Sequence, residues 1–214
     1  MTLRAIVLLL LAGSLGRSEI VDRVAIIAGN KIIKDSDIDR DLRITAFLNN
    51  QRPVFTAAAR KASAKRLLDQ IFIRSEIDQG EYETAPVAEA QNLLASLRKS
   101  RYANDAAYKS ALVSYRISDE DVKAHLLRQM TVLHFIDLRF RPAVLVSDDD
   151  IRKYFDAHQR QLEAANPAQP ATLAALHDQI QQTLTGEEVN LLLYDWLDRR
   201  REATRIAYLE DSLK

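Results

Sequence analysis

Two periods of apolar and polar positions divide this chain. Near its start apolar residues alternate, with Val24, Ile26 and Ala28 on one face of a strand and Ala25 and Ile27 on the other. Gly29-Asn30 tolerates the positive φ of a tight reversal, and Lys31-Ile32-Ile33-Lys34 makes a brief return strand. Asp35 or Ser36 is then placed to accept the first helical N–H groups, with Asp37 and Asp39 favouring the positive helix end.

Beyond residue 35 the period becomes helical. Ile38, Leu42, Thr45 and Leu48 mark a first helix that stops near Asn49-Asn50, before Pro53. A second runs over 56–79 on Ala64, Leu67, Leu68, Ile71 and Phe72, with Arg60, Lys61, Lys65 and Arg66 in its first half and Gly80 at its end. Pro86 opens a third, with Leu93, Leu94 and Leu97 facing inward; a short fourth over 104–114 carries Tyr108, Leu112 and Val113. Ser118-Asp119-Glu120-Asp121 is a capping box that starts a fifth helix with Val122, Leu126, Met130, Leu133 and Ile136. Ser147-Asp148-Asp149-Asp150 starts a sixth, with Ile151, Tyr154 and Phe155. A linker follows over 159–171, holding Pro167 and Pro170 and no apolar period. The last helix spans 172–204. Its inward face runs Leu173, Leu176, Ile180 and Leu184, then Val189, Leu192, Leu193, Trp196 and Leu197. Ile206 to Leu209 alternates again as a short strand. A hairpin this small cannot stand alone. The terminal strand needs a sheet, so the two ends of the folded chain are expected to meet.

This pattern predicts a mainly α fold with a small β-hairpin joined by a C-terminal strand. Composition agrees: 5 Gly and 5 Pro among 214 residues suit a helical protein. Residues 1–18 read as an address, with Arg4 ahead of an apolar run over 5–12 and small residues after it. The run is shorter than the roughly 20 residues that span a bilayer, so a cleaved Sec-type signal is expected and no membrane span after its removal, with an uncleaved anchor as the rival reading. The rest divides into a module over 19–158, the linker over 159–171 and a terminal helix and strand over 172–214. No cysteine is present, so packing alone must hold an exported domain, which suits a periplasm. Charges balance at 30 basic and 30 acidic, and losing Arg4 and Arg17 leaves 28 against 30. Nucleic acid is a poor partner for such a surface.

Chemistry is sparse. Asp35, Asp37, Asp39 and Asp41 imitate a calcium loop, but Arg40 and Ala46 stand where that loop needs Gly and Glu. They read as capping and dipole charges, as do Asp148 to Asp150. His125, His134, His158 and His177 lack metal spacing, and no nucleophile elbow, phosphate loop or dinucleotide fingerprint occurs. No enzyme site, cofactor or metal is nominated. Large apolar side chains remain. Phe47, Phe55, Phe72, Tyr102, Tyr115, Met130 and Phe135 are the candidate contacts for a bound polypeptide. Most aromatics at helical spacing are core, Trp196 among them; Phe55 after Pro53 and Tyr102 beyond the third helix are the better prospects for exposure.

Val21-Asp22-Arg23-Val24-Ala25, Ser36-Asp37-Ile38-Asp39, the second-helix stretch Leu67 to Ile77 and the closing Tyr194 to Glu210 follow a recognisable order. In that order, behind a signal, the chain resembles the SurA-type periplasmic chaperones and related parvulin foldases over nearly its whole mature length. The resemblance implies a multi-helix fold like the SurA N-terminal and trigger-factor C-terminal modules. Two departures stand out. No Gly-Gly pair exists to mark a parvulin isomerase domain, and Arg116 replaces a glycine that the family favours before the fifth helix. What the resemblance implies is an ATP-independent holdase. It would keep unfolded outer-membrane or secreted proteins soluble in the periplasm, as a monomer or an element-swapped homodimer. The alternatives are a non-catalytic interaction subunit with one folded envelope partner and, further off, a residual prolyl isomerase.

Overall fold

The computed structural model describes residues 22–80, 82–165 and 172–213. The expected signal over 1–18 lies outside them, as does 166–171 of the expected linker. Among the described residues the chain is mainly helical, with a small antiparallel sheet.

Strands β1 (Val24–Ala28) and β2 (Lys31–Lys34) form the hairpin. Gly29 turns it at φ +59°, a conformation that a Cβ would strain. Strand β3 (Ile206–Tyr208) pairs antiparallel with the other edge of β1, giving the order β2-β1-β3. The ladder continues past β3, with the Gly29 N–H donating to Arg205 O at 3.1 Å and the Leu209 N–H to Ala25 O at 2.9 Å. The chain ends do meet.

Strand β2 runs without a loop into α1 (Asp35–Leu48), so Lys34 becomes the cap position. The cap is therefore not the expected Asp35 or Ser36. Asp37 reaches back to accept the Lys34 N–H at 3.0 Å, while the Ser36 hydroxyl donates to Asp22 at 2.6 Å. Helices α2 (Ala57–Gln79), α3 (Val87–Arg101), α4 (Asp105–Tyr115) and α5 (Asp119–Arg139) follow. Ser118 and Asp121 cap α5 reciprocally, at 3.0 and 2.9 Å, as the sequence predicts. Arg116 ends α4 in the left-handed region, φ 55° and ψ 48°. The backbone turn that suits glycine is present, carried by an arginine.

Helix α6 (Asp148–Ala165) continues well into the stretch read as linker. Gln159, Arg160, Gln161 and Leu162 are strong helix formers, and Leu162 packs against α7 (Leu173–Glu202). An absence of apolar period was thus a solvated helix face, not a break.

Three cores result. The first gathers the sheet, Ile38 and Leu42 of α1, Leu68, Phe72, Ile73 and Ile77 of α2, Phe135, Phe140, and Val189, Trp196 and Leu197 of α7. Leu213, in a 3-10 turn at the C-terminus, is buried there too. The second joins Ile44 and Phe47 to Ala90, Leu94, Tyr108, Leu112, Val122 and Leu126. The third is small: Ile151, Leu176 and Ile180, where α6 and the first half of α7 form an arm. Leu93, expected to face inward, is exposed, as are Val113 and Leu133, while Ala90, Leu94, Leu112 and Leu126 fill the second core.

Ion pairs fasten the C-terminal half of α7 and the tail along α2. Arg201 bonds Asp69, Arg200 bonds Glu76, and Arg60 holds Glu210 at 2.9 Å. Arg60 also grips Asp35 and Asp39 of α1, at 3.0 and 2.6 Å. No helix among the described residues is long and apolar enough to cross a membrane.

Candidate functional site

Helix α2 carries more apolar residues than one core needs. Leu68, Phe72 and Ile73 go inward, while Leu67 and Ile71 turn partly away toward β2 and α1. Residues 67, 70, 71, 74, 75 and 78 recur at helical spacing and so share a face. With Ile32 and Ile33 of β2 and Ile44 of α1 that face lines a cleft of about 650 Å³. On the other side of α2, Ile73 and Ile77 face Leu127, Thr131 and Val132 of α5 across a second cleft of about 450 Å³. Gln70, Arg74 and Arg128 line both clefts. The two therefore adjoin as neighbouring lobes, with these three residues at the waist between them.

Its electrostatics are specific. Arg40 pairs with Asp37 and Asp121 at 3.4 and 3.5 Å, and Arg74 pairs with Asp78 at 2.9 Å. Asp41, 4% exposed, accepts from Arg66 at 2.6 Å and from the Ser63 hydroxyl at 2.7 Å. The side chains of Arg128 and Lys31 make no hydrogen bond or ion pair with any described residue. Arg128 is exposed, yet the protein packed around its guanidinium desolvates it enough to draw it below its ordinary range, the nearby Asp41 opposing. On α5, His125 is 3% exposed and its Nε2 has no hydrogen-bond partner among the described residues. Burial holds that imidazole below its ordinary value of 6.5, against the pull of Asp41.

The aromatic side chains singled out from the sequence lie elsewhere. Phe72 and Phe135 are in the first core, where Phe135 packs on Tyr82, Phe140 and Trp196. Phe47 is the hub of the second, stacked on Tyr102 and edge-on to Tyr115 at 5.4 Å. These three are buried in this conformation, for the ordinary reason that aromatics on a helix's inward stripe fill the core. Tyr102, Tyr115 and Met130 are half-buried against the same cluster, so Tyr102 is less open than expected. Phe55 is exposed, with the Arg43 guanidinium 5.4 Å from its ring centroid. None of the seven lines the two-lobed cleft. A width argument on α2 would have found its floor; nothing in the sequence marks Arg128.

The acids that imitate a calcium loop are engaged with Arg60, Arg66, Arg40 and the start of α1. The described residues contain no cluster of His, Asp and Glu that could hold a metal ion. No protein-family model matches the chain, and a search of curated proteins finds no match.

Proposed function

We propose that this protein is an ATP-independent chaperone of the periplasm, a holdase for unfolded outer-membrane or secreted proteins. The observation that carries the reading is the open two-lobed cleft with its aliphatic floor. Ile32, Leu67, Ile71, Leu127 and Val132 offer many weak contacts without a deep, shaped pocket. Such contacts accept varied extended segments and release them without nucleotide. The order of motifs shared with the SurA-type chaperones supports the same reading, and the missing Gly-Gly pair argues against isomerase activity.

The edge of the sheet adds a second contact for an extended chain. Ala25 and Gly29 bond toward β3, so alternate residues of β1 bond toward β2 and leave Ile32 with its N–H and C=O pointing off the free edge. Ile32 lines the cleft and is half exposed. A client backbone can pair there irrespective of its sequence.

The test is suppression of aggregation when an unfolded outer-membrane protein is diluted from denaturant. Near-stoichiometric suppression is expected, and its absence across a range of ratios would sink the reading. An interaction subunit with one folded partner is the second reading, favoured by Leu145, 94% exposed, and by Leu191 and Tyr194 on the outer side of α7. Pull-down from periplasm separates the two, since one stoichiometric partner favours the subunit and a mixed population the holdase.

A further inference from the structure

Three arginines and three acids meet where α1, α2 and α5 converge. Asp37 is committed to the Lys34 N–H and Arg40, Asp121 to the α5 cap and Arg40, and Asp41 to Ser63 and Arg66. Their fields reach Arg128, but none lies within ion-pairing distance of it. Among the described residues Arg128 thus holds a planar array of donors with no fixed acceptor, and it stands where the two apolar lobes join. Lys31, the other unpaired cation of the cleft, lines the hairpin lobe alone.

The position decides what kind of anion fits. A ligand seated on Arg128 has aliphatic floor on both sides: Ile32, Leu67 and Ile71 one way, Leu127 and Val132 the other. A chain end would fill one lobe and leave the second empty. An internal acidic side chain lets the peptide run through both. We propose that the cleft binds an extended peptide in which an internal Asp or Glu lies between apolar residues, its carboxylate seated on Arg128. The proposal rests on the chaperone reading and adds a preference to it.

The arrangement has a physical logic. The apolar lobes alone would hold any hydrophobic segment in either direction and any register. One charge-assisted contact at the waist sets the register, and in water it adds modestly because the cation is already partly screened by neighbouring acids. A guanidinium is the suitable group, since it meets a carboxylate through two parallel hydrogen bonds.

The experiment is fluorescence anisotropy of two labelled peptides, blocked at both termini, with the sequence Ala-Leu-Phe-Glu-Phe-Leu-Ala or its Gln counterpart. A third peptide, Ala-Leu-Phe with a free carboxyl terminus, separates an end group from a side chain. With the full protein, the Glu peptide should bind about tenfold tighter than the Gln peptide at low salt. The preference should shrink as salt rises. Arg128→Met should bring the two peptides to a common affinity, and Arg128→Lys should restore part of the difference. Equal binding of the Glu and Gln peptides by the wild type overturns the proposal, as does a preference that survives Arg128→Met in a protein shown to be folded by circular dichroism. If Arg128→Met does not fold, the wild-type preference and its salt dependence decide. Tighter binding of the free-ended peptide overturns the internal placement. Binding of neither seven-residue peptide overturns the chaperone reading itself, a result distinct from the others.

Discussion

Arg116 and His125 show what single residues decide here. Arg116 holds φ 55° at the end of α4, a region that costs a non-glycine residue about 1 kcal/mol. Its N–H reaches Val113 O at 3.0 Å, so the turn is well formed in spite of the side chain. Arg116→Gly should raise the free energy of unfolding by up to about 1 kcal/mol, read from the midpoint of urea denaturation. A lower midpoint would mean that the arginine stabilises this turn in some other way. His125 makes the opposite case. Its folded pKa lies below 6.5, so burying it costs nothing extra above that value, where both folded and unfolded forms are neutral. As pH falls below 6.5 the unfolded state takes up a proton first, and stability is lost until the folded pKa is passed. Wild-type protein should therefore lose more stability between pH 7.5 and 5.5 than His125→Leu. Equal losses would show that the acid response comes from other groups. The charges that face it, Asp41, Arg128 and Arg66, remain in both proteins.

Among elements, the tail matters more than its length suggests. Strand β3 has three residues, yet it closes the sheet, and Leu213 just beyond it is 2% exposed in the first core. Leu213→Ala should cost about 2–4 kcal/mol, measured by chemical denaturation, despite lying next to the last residue of the chain. Arg60 joins the starts of α1 and α2 to Glu210, and burial, with the neighbouring Glu210 carboxyl, raises the Asp35 carboxyl above its usual range. Removing the guanidinium leaves three acids together, so Arg60→Ala should destabilise by about 1–2 kcal/mol at neutral pH. That loss should lessen in acid, where the raised Asp35 carboxyl takes up a proton. A loss independent of pH would assign the effect to packing of the arginine stem.

At the scale of the whole molecule, the three cores differ in size. The sheet core draws on four helices and on chain from both sides of the sheet, whereas the arm of α6 and the start of α7 buries three side chains. Amide exchange should accordingly be fastest to open in 148–165 and 173–184, and slowest in α2 and α5. Uniform protection along α7 would instead make the arm part of the main cooperative unit. The cleft lies on the well-packed body, so the binding surface proposed here is preformed and should need little ordering of α1, α2 or α5.

Much of this architecture was legible from apolar period alone. The hairpin, the caps at Ser118 and Ser147, the seven helices and the terminal strand all follow from local rules, because period and capping are written into neighbouring residues. Even the meeting of the hairpin and the last strand could be inferred, since a short alternating strand is stable only when it joins a sheet. Which side of a helix faces a core and which a cleft is not local. Phe47, Phe72 and Phe135 became core while Leu67, Ile71 and Leu127 came to line an open surface, and both sets carry the same helical period. Arg128 is the sharpest instance. Its lack of an acid partner depends on how Arg40 and Arg66 divide Asp37, Asp41 and Asp121 between them, and those residues come together only when α1, α2 and α5 pack.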